Sequence, residues 1–203
     1  MSTAGNIRVY IERLPLQQIF STREVLHYGS RGAVDQALYR MVENSFIIRL
    51  AWGLFYKSID GKDIPSVEKI AEKKAAVFCK EIIKHGKDAA VELKIVEQGN
   101  DKTVYNVPGS SSSSFLCVQH NHRVYTKATS ARRLLDGNTR AGKVIRALWE
   151  MGSQNIDQSV MKKTTLRLNR KEMRTIWHAA LRVPWWLARH TNRAVPIFLK
   201  KSK

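Results

Sequence analysis

The most informative run of this chain lies at residues 20–57 and reads FSTREVLHYGSRGAVDQALYRMVENSFIIRLAWGLFYK. Ser21 precedes Glu24 by three residues, which is the spacing of a capping box at a helix start. We therefore predict a short helix through residues 25–26. The run from Gly29 to Gly32 should then break that helix, because glycine is a poor helix former and suits a tight turn.

A second helix is predicted from Ala33 to Asn44, where apolar side chains recur at helical spacing. Its apolar face comprises Val34, Ala37, Leu38, Met41 and Val42. The β-rich runs Phe46–Leu50 and Leu54–Tyr56 flank a short turn at Ala51–Gly53, which predicts a β-hairpin. This order of helix, turn, helix and hairpin indicates a winged helix-turn-helix, a motif that usually docks its second helix in the major groove of DNA.

The second helix and the hairpin supply candidate DNA-binding residues. A helix start attracts phosphate, arginine can read guanine and glutamine can read adenine, while exposed rings can lie along the backbone or a groove. On these grounds the candidates are Ser30, Arg31, Gln36, Tyr39, Arg40 and Trp52. The alternatives are that Tyr39 and Trp52 cover the core or face the second domain, that Arg31 is a solvated charge, and that the winged domain docks proteins.

The net charge of +18 and the isoelectric point near 10.2 imply a polyanionic partner. Residues 1–60 carry seven basic and five acidic side chains, and residues 61–100 carry eight and seven. Residues 101–203 carry twenty and five, so most of the excess lies outside the helix-turn-helix. The second half therefore either contacts nucleic acid as well or meets an acidic protein, unless its charge only keeps the protein soluble.

A domain boundary is predicted at Ser58–Pro65, a segment with glycine, two aspartates and proline between structured runs. Residues 1–60 then form the winged helix-turn-helix domain, and residues 61–203 form a basic second domain. In that domain we predict a long helix from Val67 to Lys84, ended by residues 85–86, and strands within residues 103–129. The predicted fold class is α+β, with the winged domain followed by a mixed, mainly helical domain that holds a small antiparallel sheet.

A further helix is predicted over Thr139–Met151, ended by Gly152. Its predicted inward residues are Val144, Ile145, Leu148 and Trp149. The cationic side chains recur every third residue on the outward side and, with two nearby arginines, predict a phosphate-binding basic surface. The members of that surface are Arg132, Arg133, Arg140, Lys143 and Arg146. The alternative is a solubilising face.

The C-terminal part combines a predicted helix with two tryptophans. Asn169 and Glu172 have capping-box spacing, so we predict a helix over Arg170–Leu181. Its predicted inward residues are Met173, Ile176, Trp177 and Ala180. Trp185 and Trp186 are expected to close the core. The tail from residue 191 onward is expected to be mobile.

The sequence contains few residue patterns that would support catalysis or metal binding. The run Gly109–Ser114 lacks both the P-loop and the hydrolase-elbow patterns, so we expect a polar hairpin loop. Cys117, His120 and His122 are only three potential ligands, and strand alternation separates the thiol from both histidines. Together with the absence of a plausible carboxylate pair, this predicts a protein that is not an enzyme and needs neither metal nor cofactor.

The sequence also predicts the compartment. Its two cysteines give no disulfide framework, and no apolar run approaches the length of a membrane span. The start of the chain lacks a secretory pattern. We therefore expect a cytoplasmic protein without a membrane partner.

The run SRGAVDQALYRMVENSFIIRLAWGLFYK at residues 30–57, followed by Pro65 and an Ala/Lys-rich helix, resembles the N-terminal region of AbiEi-type antitoxins. So do GSSSSSF at residues 109–115, the strands leading to TSAR at 129–132, and KVIRALWEMG at 143–152. The resemblance is to a short branch of that family and extends from Ile7 to about Leu187.

The resemblance implies a type IV toxin–antitoxin system in which the winged helix represses its own promoter. The second domain would counteract a nucleotidyltransferase-like toxin, directly or indirectly. The match also places Gly32 and Asp35 on the DNA-facing side, beside Ser30, Arg31, Gln36 and Tyr39.

The leading hypothesis is therefore a DNA-binding antitoxin and autorepressor. Its expected partners are the duplex DNA of its own promoter and a cognate toxin, with a possible homodimer on DNA. The alternative is a non-catalytic RNA- or nucleic-acid-binding accessory protein that acts through its basic C-terminal half. An enzyme such as a nucleic-acid hydrolase is the third and least supported hypothesis.

Overall fold

The computed structural model describes residues 2–58, 63–166 and 168–200. The chain has a mixed α+β fold, in agreement with the predicted fold class. The helices are α1 (Thr3–Arg13), α2 (Thr22–Val25), α3 (Arg31–Glu43), α4 (Val67–Ala76), α5 (Gly86–Glu92), α6 (Arg140–Met151), α7 (Gln158–Thr165), α8 (Arg170–Ala179) and α9 (Trp185–Lys200). The strands are β1 (Ile19–Ser21), β2 (Ile48–Ala51), β3 (Leu54–Tyr56), β4 (Ile83–Lys84), β5 (Thr103–Pro108), β6 (Ser113–Cys117) and β7 (His122–Thr129). Within these ranges, every helix falls short of the length or apolar character that a membrane span requires.

The chain folds as two compact units. The first unit comprises residues 1–81 and 114–124, and the second comprises residues 82–113 and 125–203. The predicted boundary segment, residues 58–65, lies partly outside the described residues. In the structure α4 belongs to the first unit, whereas the predicted boundary assigned it to the second domain.

The first unit is built on a three-stranded antiparallel sheet with the order β1-β3-β2. Phe20 of β1 lies opposite Phe55 of β3, and their rings stack with centroids 5.7 Å apart. Residues from α1, α2 and α3 join these rings in one core, including Ile7, Val25 and Leu38. Each fully buried side chain of this size contributes about 1.5–3 kcal/mol to folding, so this core holds the three helices against the sheet.

The predicted capping box is confirmed at α2, whereas the start of α3 differs from the prediction. The backbone N–H of Ser21 donates to Oε1 of Glu24 at 3.1 Å. Ser30 caps α3 by accepting from the backbone N–H of Ala33 at 3.4 Å. The helix therefore begins at Arg31, two residues earlier than expected. Gly32 lies in its first turn, so the predicted break through Gly32 is wrong.

Gly29 has a steric reason to be glycine. A Cβ at this position would lie 2.5 Å from Oγ1 and 2.7 Å from Cγ2 of Thr3. Real Cβ atoms do not approach other atoms so closely, so a side chain here would push α1 away from the start of α3. The glycine allows the loop before α3 to pass close to the first helix.

The predicted long helix from Val67 to Lys84 is wrong. α4 ends at Ala76, Cys79 has a left-handed backbone with φ of 55°, and β4 begins at Ile83. Arg23 donates to the Val77 carbonyl at 2.9 Å and lies 4.6 Å from the ring centroid of Phe78. A tertiary partner thus takes the carbonyl that another helical turn would have used.

The second unit has a helical core made mainly by α5, α6, α8 and α9. The predicted helix over Thr139–Met151 is confirmed, with Thr139 as its N-cap. α5 and α6 approach so closely that a Cβ at Gly86 would lie 2.5 Å from the Arg146 carbonyl. His85 caps α5 instead of ending α4, because its Nδ1 accepts from the Lys87 N–H at 3.4 Å.

A four-stranded sheet has the order β4-β5-β7-β6, and the chain passes from one unit to the other within β6 and within β7. The predicted small sheet is therefore present. The serine run is only partly a loop, because its last two serines, at 113 and 114, belong to β6. The remaining part, residues 109–112, connects β5 to β6.

Two expectations about the C-terminal part are wrong. Trp177 was expected in the core but is 48% exposed, and Trp185 is 74% exposed. Leu187 is fully buried and completes the core instead. The segment from residue 191 continues α9 as far as Lys200, residues 201–203 lie outside the described residues, and the expected mobility of this tail stays a prediction. The predicted capping pair is confirmed, since Asn169 and Glu172 exchange two hydrogen bonds of 2.8 Å.

Candidate functional site

A groove lies between the exposed face of α3 and the β2–β3 hairpin of the first unit. Its cavity has a volume of about 390 Å³. We call it the α3–hairpin groove. It brings together six of the eight predicted DNA-binding residues, namely Arg31, Gly32, Asp35, Gln36, Tyr39 and Trp52. Ser30 and Arg40 are exposed on the same helix but do not line the groove.

The orientation of α3 follows from its burial pattern. Val34, Ala37 and Leu38 are buried in the core of the first unit. Because an α-helix repeats every 3.6 residues, this leaves Gln36 and Tyr39 on the opposite, exposed side. The predicted apolar face of this helix is therefore confirmed, and the candidate residues Gln36 and Tyr39 lie on its exposed side.

An exposed ion pair occupies the start of α3. Nε of Arg31 donates to Oδ2 of Asp35 at 2.8 Å, and the two side chains are 59% and 50% exposed. Such an i,i+4 pair contributes only about 0.3–0.5 kcal/mol. Arg31 can therefore exchange Asp35 for a stronger anion at little cost. The start of the helix also offers backbone N–H groups that have no acceptor within the helix.

The tip of the hairpin is held from two sides. Nζ of Lys74 donates to the Trp52 carbonyl at 2.5 Å, and the Thr22 N–H donates to the Gly53 carbonyl at 3.0 Å. Gly53 has φ of +72°, a left-handed conformation that glycine adopts without strain. The backbone of the tip is thus fixed, while the Trp52 side chain is 76% exposed. Burial lowers the pKa of Lys74 below its ordinary value.

Arg49 is a groove residue that sequence reasoning missed. It lies on β2 opposite Phe55, and its guanidinium is 5.8 Å from the Phe55 ring centroid and 6.0 Å from that of Trp52. A regular two-residue turn at residues 52–53 would pair Arg49 with Tyr56, whereas a register shift between Arg49 and Ala51 places Arg49 opposite Phe55, so turn length alone does not predict this position. The prediction treated residues 46–50 only as a β-rich run.

A second cavity of about 690 Å³ extends from the same helix and shares Tyr39 and Arg49 with the groove. Val118 and Gln119, from the segment between β6 and β7, line its far side. Nε2 of Gln119 donates to the Arg49 carbonyl at 3.2 Å. This segment therefore supports the strand that carries Arg49.

The predicted basic surface of the second domain is wrong for Arg146, and Lys143 is only partly exposed, whereas phosphate binding by the exposed Arg132, Arg133 and Arg140 stays a prediction. Arg146 is only 4% exposed, and its guanidinium donates to the carbonyls of Lys84 at 3.2 Å and Leu135 at 3.4 Å. Lys143 forms an ion pair with Glu92. The three-residue spacing did place these cations on one side of α6, but that side is covered by β4 and α5. Arg140 alone of the three on α6 is exposed.

The two arginines before α6 are also engaged within the second unit. Nη2 of Arg132 donates to the Val183 carbonyl at 3.1 Å. Arg133 lies 5.2 Å from the Trp149 ring centroid and 3.8 Å from a carboxylate oxygen of Glu150. Both side chains remain exposed in part, but their guanidiniums contact other residues of the second unit.

A small polar cavity of about 20 Å³ lies beside His85 in the second unit. Asn100 Nδ2 lies 3.2 Å from His85 Nδ1, and Glu150 Oε1 lies 3.9 Å from His85 Nε2. Burial lowers the pKa of His85, although the Glu150 carboxylate opposes this. The space suffices for about one water molecule, so it is not a ligand pocket.

The histidines considered as metal ligands have structural contacts. Nε2 of His120 donates to the Pro65 carbonyl at 2.8 Å, and Cys117 is buried. Among the described residues, no three histidine, cysteine or acidic side chains are arranged to hold a metal ion.

The fold and the groove define an α+β protein with an exposed groove between a helix and a hairpin. The chain belongs to the DUF6088 family, a family of unknown function, which matches residues 6–176. This match extends from α1 to α8 and includes every residue of the groove. No curated protein matches the chain.

Proposed function

We propose that the chain is a DNA-binding antitoxin that represses its own operon, and that its first unit is a winged helix-turn-helix. The observation that carries the DNA-binding part is the α3–hairpin groove. It combines an exposed helix face with an exposed tryptophan at a fixed hairpin tip. The element order from α1 to β3 and the sheet order β1-β3-β2 support this reading.

In this proposal α3 enters the major groove of duplex DNA. Its thirteen residues span about 20 Å, and the major groove is about 12 Å wide, so the exposed face can follow base edges over several pairs. Gln36 faces an adenine edge and Arg31 a guanine edge or a phosphate. Ser30 and the first-turn N–H groups meet the backbone.

The hairpin adds contacts that position the helix. Trp52 lies along the sugar-phosphate backbone or the minor groove, and Arg49 beside it neutralises a phosphate. Lys74 fixes the carbonyl of Trp52, so the tip approaches the DNA without first becoming ordered. Asp35 holds the Arg31 guanidinium extended until phosphate or guanine replaces the carboxylate.

The antitoxin part is supported by the resemblance of residues 30–57, 109–115 and 143–152 to AbiEi-type antitoxins. Under this proposal the C-terminal region counteracts a nucleotidyltransferase-like toxin, directly or indirectly. Its test is co-expression with the neighbouring toxin gene. Survival that requires the full chain supports the proposal, and toxicity that the full chain does not relieve would overturn it.

The DNA-binding part is tested with the full chain and DNA from immediately upstream of its own gene. Shuffled DNA of the same composition serves as the competitor at physiological salt. We expect tighter binding to the native fragment by at least about 1,000-fold, in the range of specific regulators. Equal, salt-sensitive binding to both fragments would contradict the proposal. An operator with two half-sites bound by two copies is expected if the protein acts as a dimer.

A matched pair of variants makes this test sharper. Arg31→Ala should abolish most of the preference for the native fragment. Arg8→Ala is the control, because Arg8 forms the same kind of exposed i,i+4 pair with Glu12 on α1, at 3.0 Å. Both changes remove one charge and one weak ion pair, and Arg8→Ala also removes a guanidinium that lies 4.7 Å from the Phe46 ring centroid, so the control carries at least as large a structural loss as Arg31→Ala. Equal losses in the two variants would indicate a nonspecific effect of charge.

A further inference from the structure

The corner formed by α8 and the start of α9 exposes large apolar side chains in the second unit. Trp177 is 48% exposed, Leu181 is 89% exposed and Trp185 is 74% exposed. We call this surface the tryptophan corner. Its members are Arg170, Arg174, Trp177, His178, Leu181, Trp185 and Arg189. Three large exposed apolar side chains within nine positions of a helix corner form a candidate binding surface.

Each helix of the corner carries both aromatic rings and arginines. Arg170, Arg174 and Trp177 recur at four- and three-residue spacing, so they share one exposed face of α8. The ring of His178 lies 5.2 Å from that of Trp177. On α9, the Arg189 guanidinium lies 5.5 Å from the Trp185 ring centroid. The connection between the two helices is only residues 180–184.

The segment that contains the corner is strongly basic. Residues 158–192 contain eight lysines and arginines and one acidic residue, Glu172. The Glu172 carboxylate already accepts the backbone N–H of Asn169 at 2.8 Å. A surface with this balance attracts a polyanion and repels a basic partner. It lies in the second unit and does not include the basic residues predicted on α6.

We propose that the tryptophan corner binds single-stranded RNA. Exposed rings can stack on unpaired bases of any sequence, while arginines beside them neutralise phosphates and pack on base faces. Duplex DNA hides its base faces, so it would leave the indoles of Trp177 and Trp185 without a partner. Unpaired bases occur mainly in RNA, which is therefore the occupant that fits both the charge and the rings. This inference does not rest on DNA binding by the first unit.

The stacking part is tested by binding of the full chain to a 15-nucleotide oligo(U), measured by fluorescence anisotropy. We expect Trp177→Ala with Trp185→Ala to weaken binding by at least about tenfold for each indole. The corresponding double Phe variant should retain most of the affinity, because it keeps a ring. The double Leu variant should bind as weakly as the Ala variant, because it keeps apolar area without a π face.

Two controls separate the corner from the groove. Trp52→Ala removes a tryptophan that is as exposed as Trp185 but lies in the first unit, and should leave oligo(U) binding unchanged. Arg31→Ala should likewise affect duplex DNA only. Unchanged oligo(U) binding in the double Ala variant would overturn the inference, and so would full binding by the Leu variant. Equal or tighter binding of oligo(dT) or of duplex RNA would overturn the assignment to single-stranded RNA.

The charge part is tested by salt dependence. Each phosphate contact with a single strand contributes about 0.7 to the slope of log affinity against log salt. Arg170→Gln with Arg174→Gln should therefore reduce that slope by about 1.4. Arg8→Gln with Arg13→Gln on α1 is the matched control and should leave the slope unchanged. A reduction of the same size in both double variants would show that only net charge matters, which would contradict a phosphate-binding site at the corner.

Discussion

The two units differ in how they use their charged side chains. The first unit carries thirteen basic and nine acidic residues, and the second carries twenty-two and eight. The few cations of the first unit include Arg31 and Arg49, which line an open groove. In the much more basic second unit, Arg146, Lys143 and Arg132 hold the unit together through carbonyls and a carboxylate. A high density of cations therefore does not locate a binding surface.

The largest effect is expected from the buried guanidinium of α6. Arg146→Ala should destabilise the protein by about 2–4 kcal/mol, because two part-buried carbonyls lose their donor and the buried side chain leaves a cavity. Arg140→Ala on the same helix should change stability by no more than about 0.5 kcal/mol, since Arg140 is exposed. Urea unfolding measures both variants. Similar small changes would mean that Arg146 is a surface cation after all.

The two glycines of the run at residues 29–32 should respond in opposite directions. Gly29→Ala should destabilise the protein by about 1–3 kcal/mol, because its Cβ would overlap Thr3. Gly32→Ala should stabilise it by up to about 1 kcal/mol, since nothing lies within 4 Å of the added atom and alanine favours a helix. Thermal unfolding of both variants decides this. A destabilising Gly32→Ala would place Gly32 in a turn, as the sequence predicted.

Arg49 should affect affinity for DNA without affecting sequence preference. Arg49→Ala is expected to weaken binding to native and shuffled DNA alike by about 1 kcal/mol, and to reduce the salt slope by about 0.9. Gln36→Ala should instead relax the preference between sequences. Titrations of both variants at three salt concentrations distinguish the two roles. A change of preference in Arg49→Ala would make Arg49 a reader of bases.

The smallest effect is a pH dependence from His85. Burial lowers the pKa of His85, so the folded protein keeps this ring neutral at a pH where the unfolded chain already binds a proton. Stability should therefore be at its full value above the ordinary histidine pKa of about 6.5 and fall as the pH drops below it. His85→Asn keeps a capping side chain that does not titrate, so it should flatten the melting temperature between pH 7 and pH 5. An unchanged pH profile would exclude His85 as its source.

Local rules predicted the first unit well. The capping box at Ser21, the faces of α3 and the presence of a hairpin depend on residues that are neighbours in sequence, although the predicted turn at Ala51–Gly53 is one residue too long because Ala51 belongs to β2. Six of the eight predicted DNA-binding residues meet in one groove for the same reason, since helix periodicity and a short turn place them. What these residues bind stays a prediction. Arg49 was missed because its position depends on the partner strand.

Tertiary contacts account for the errors. α4 ends at Ala76 although the apolar pattern continues; the backbone turns at left-handed Cys79, and Arg23, remote in sequence, caps the Val77 carbonyl at this end. The cations of α6 recur regularly, but β4 and α5 cover Arg146. Trp177 falls at helical spacing with Met173, yet α9 packs against only the side of α8 that carries Ile176 and Ala179. Residue spacing specifies which side chains share a face, whereas burial of that face depends on elements far away in sequence.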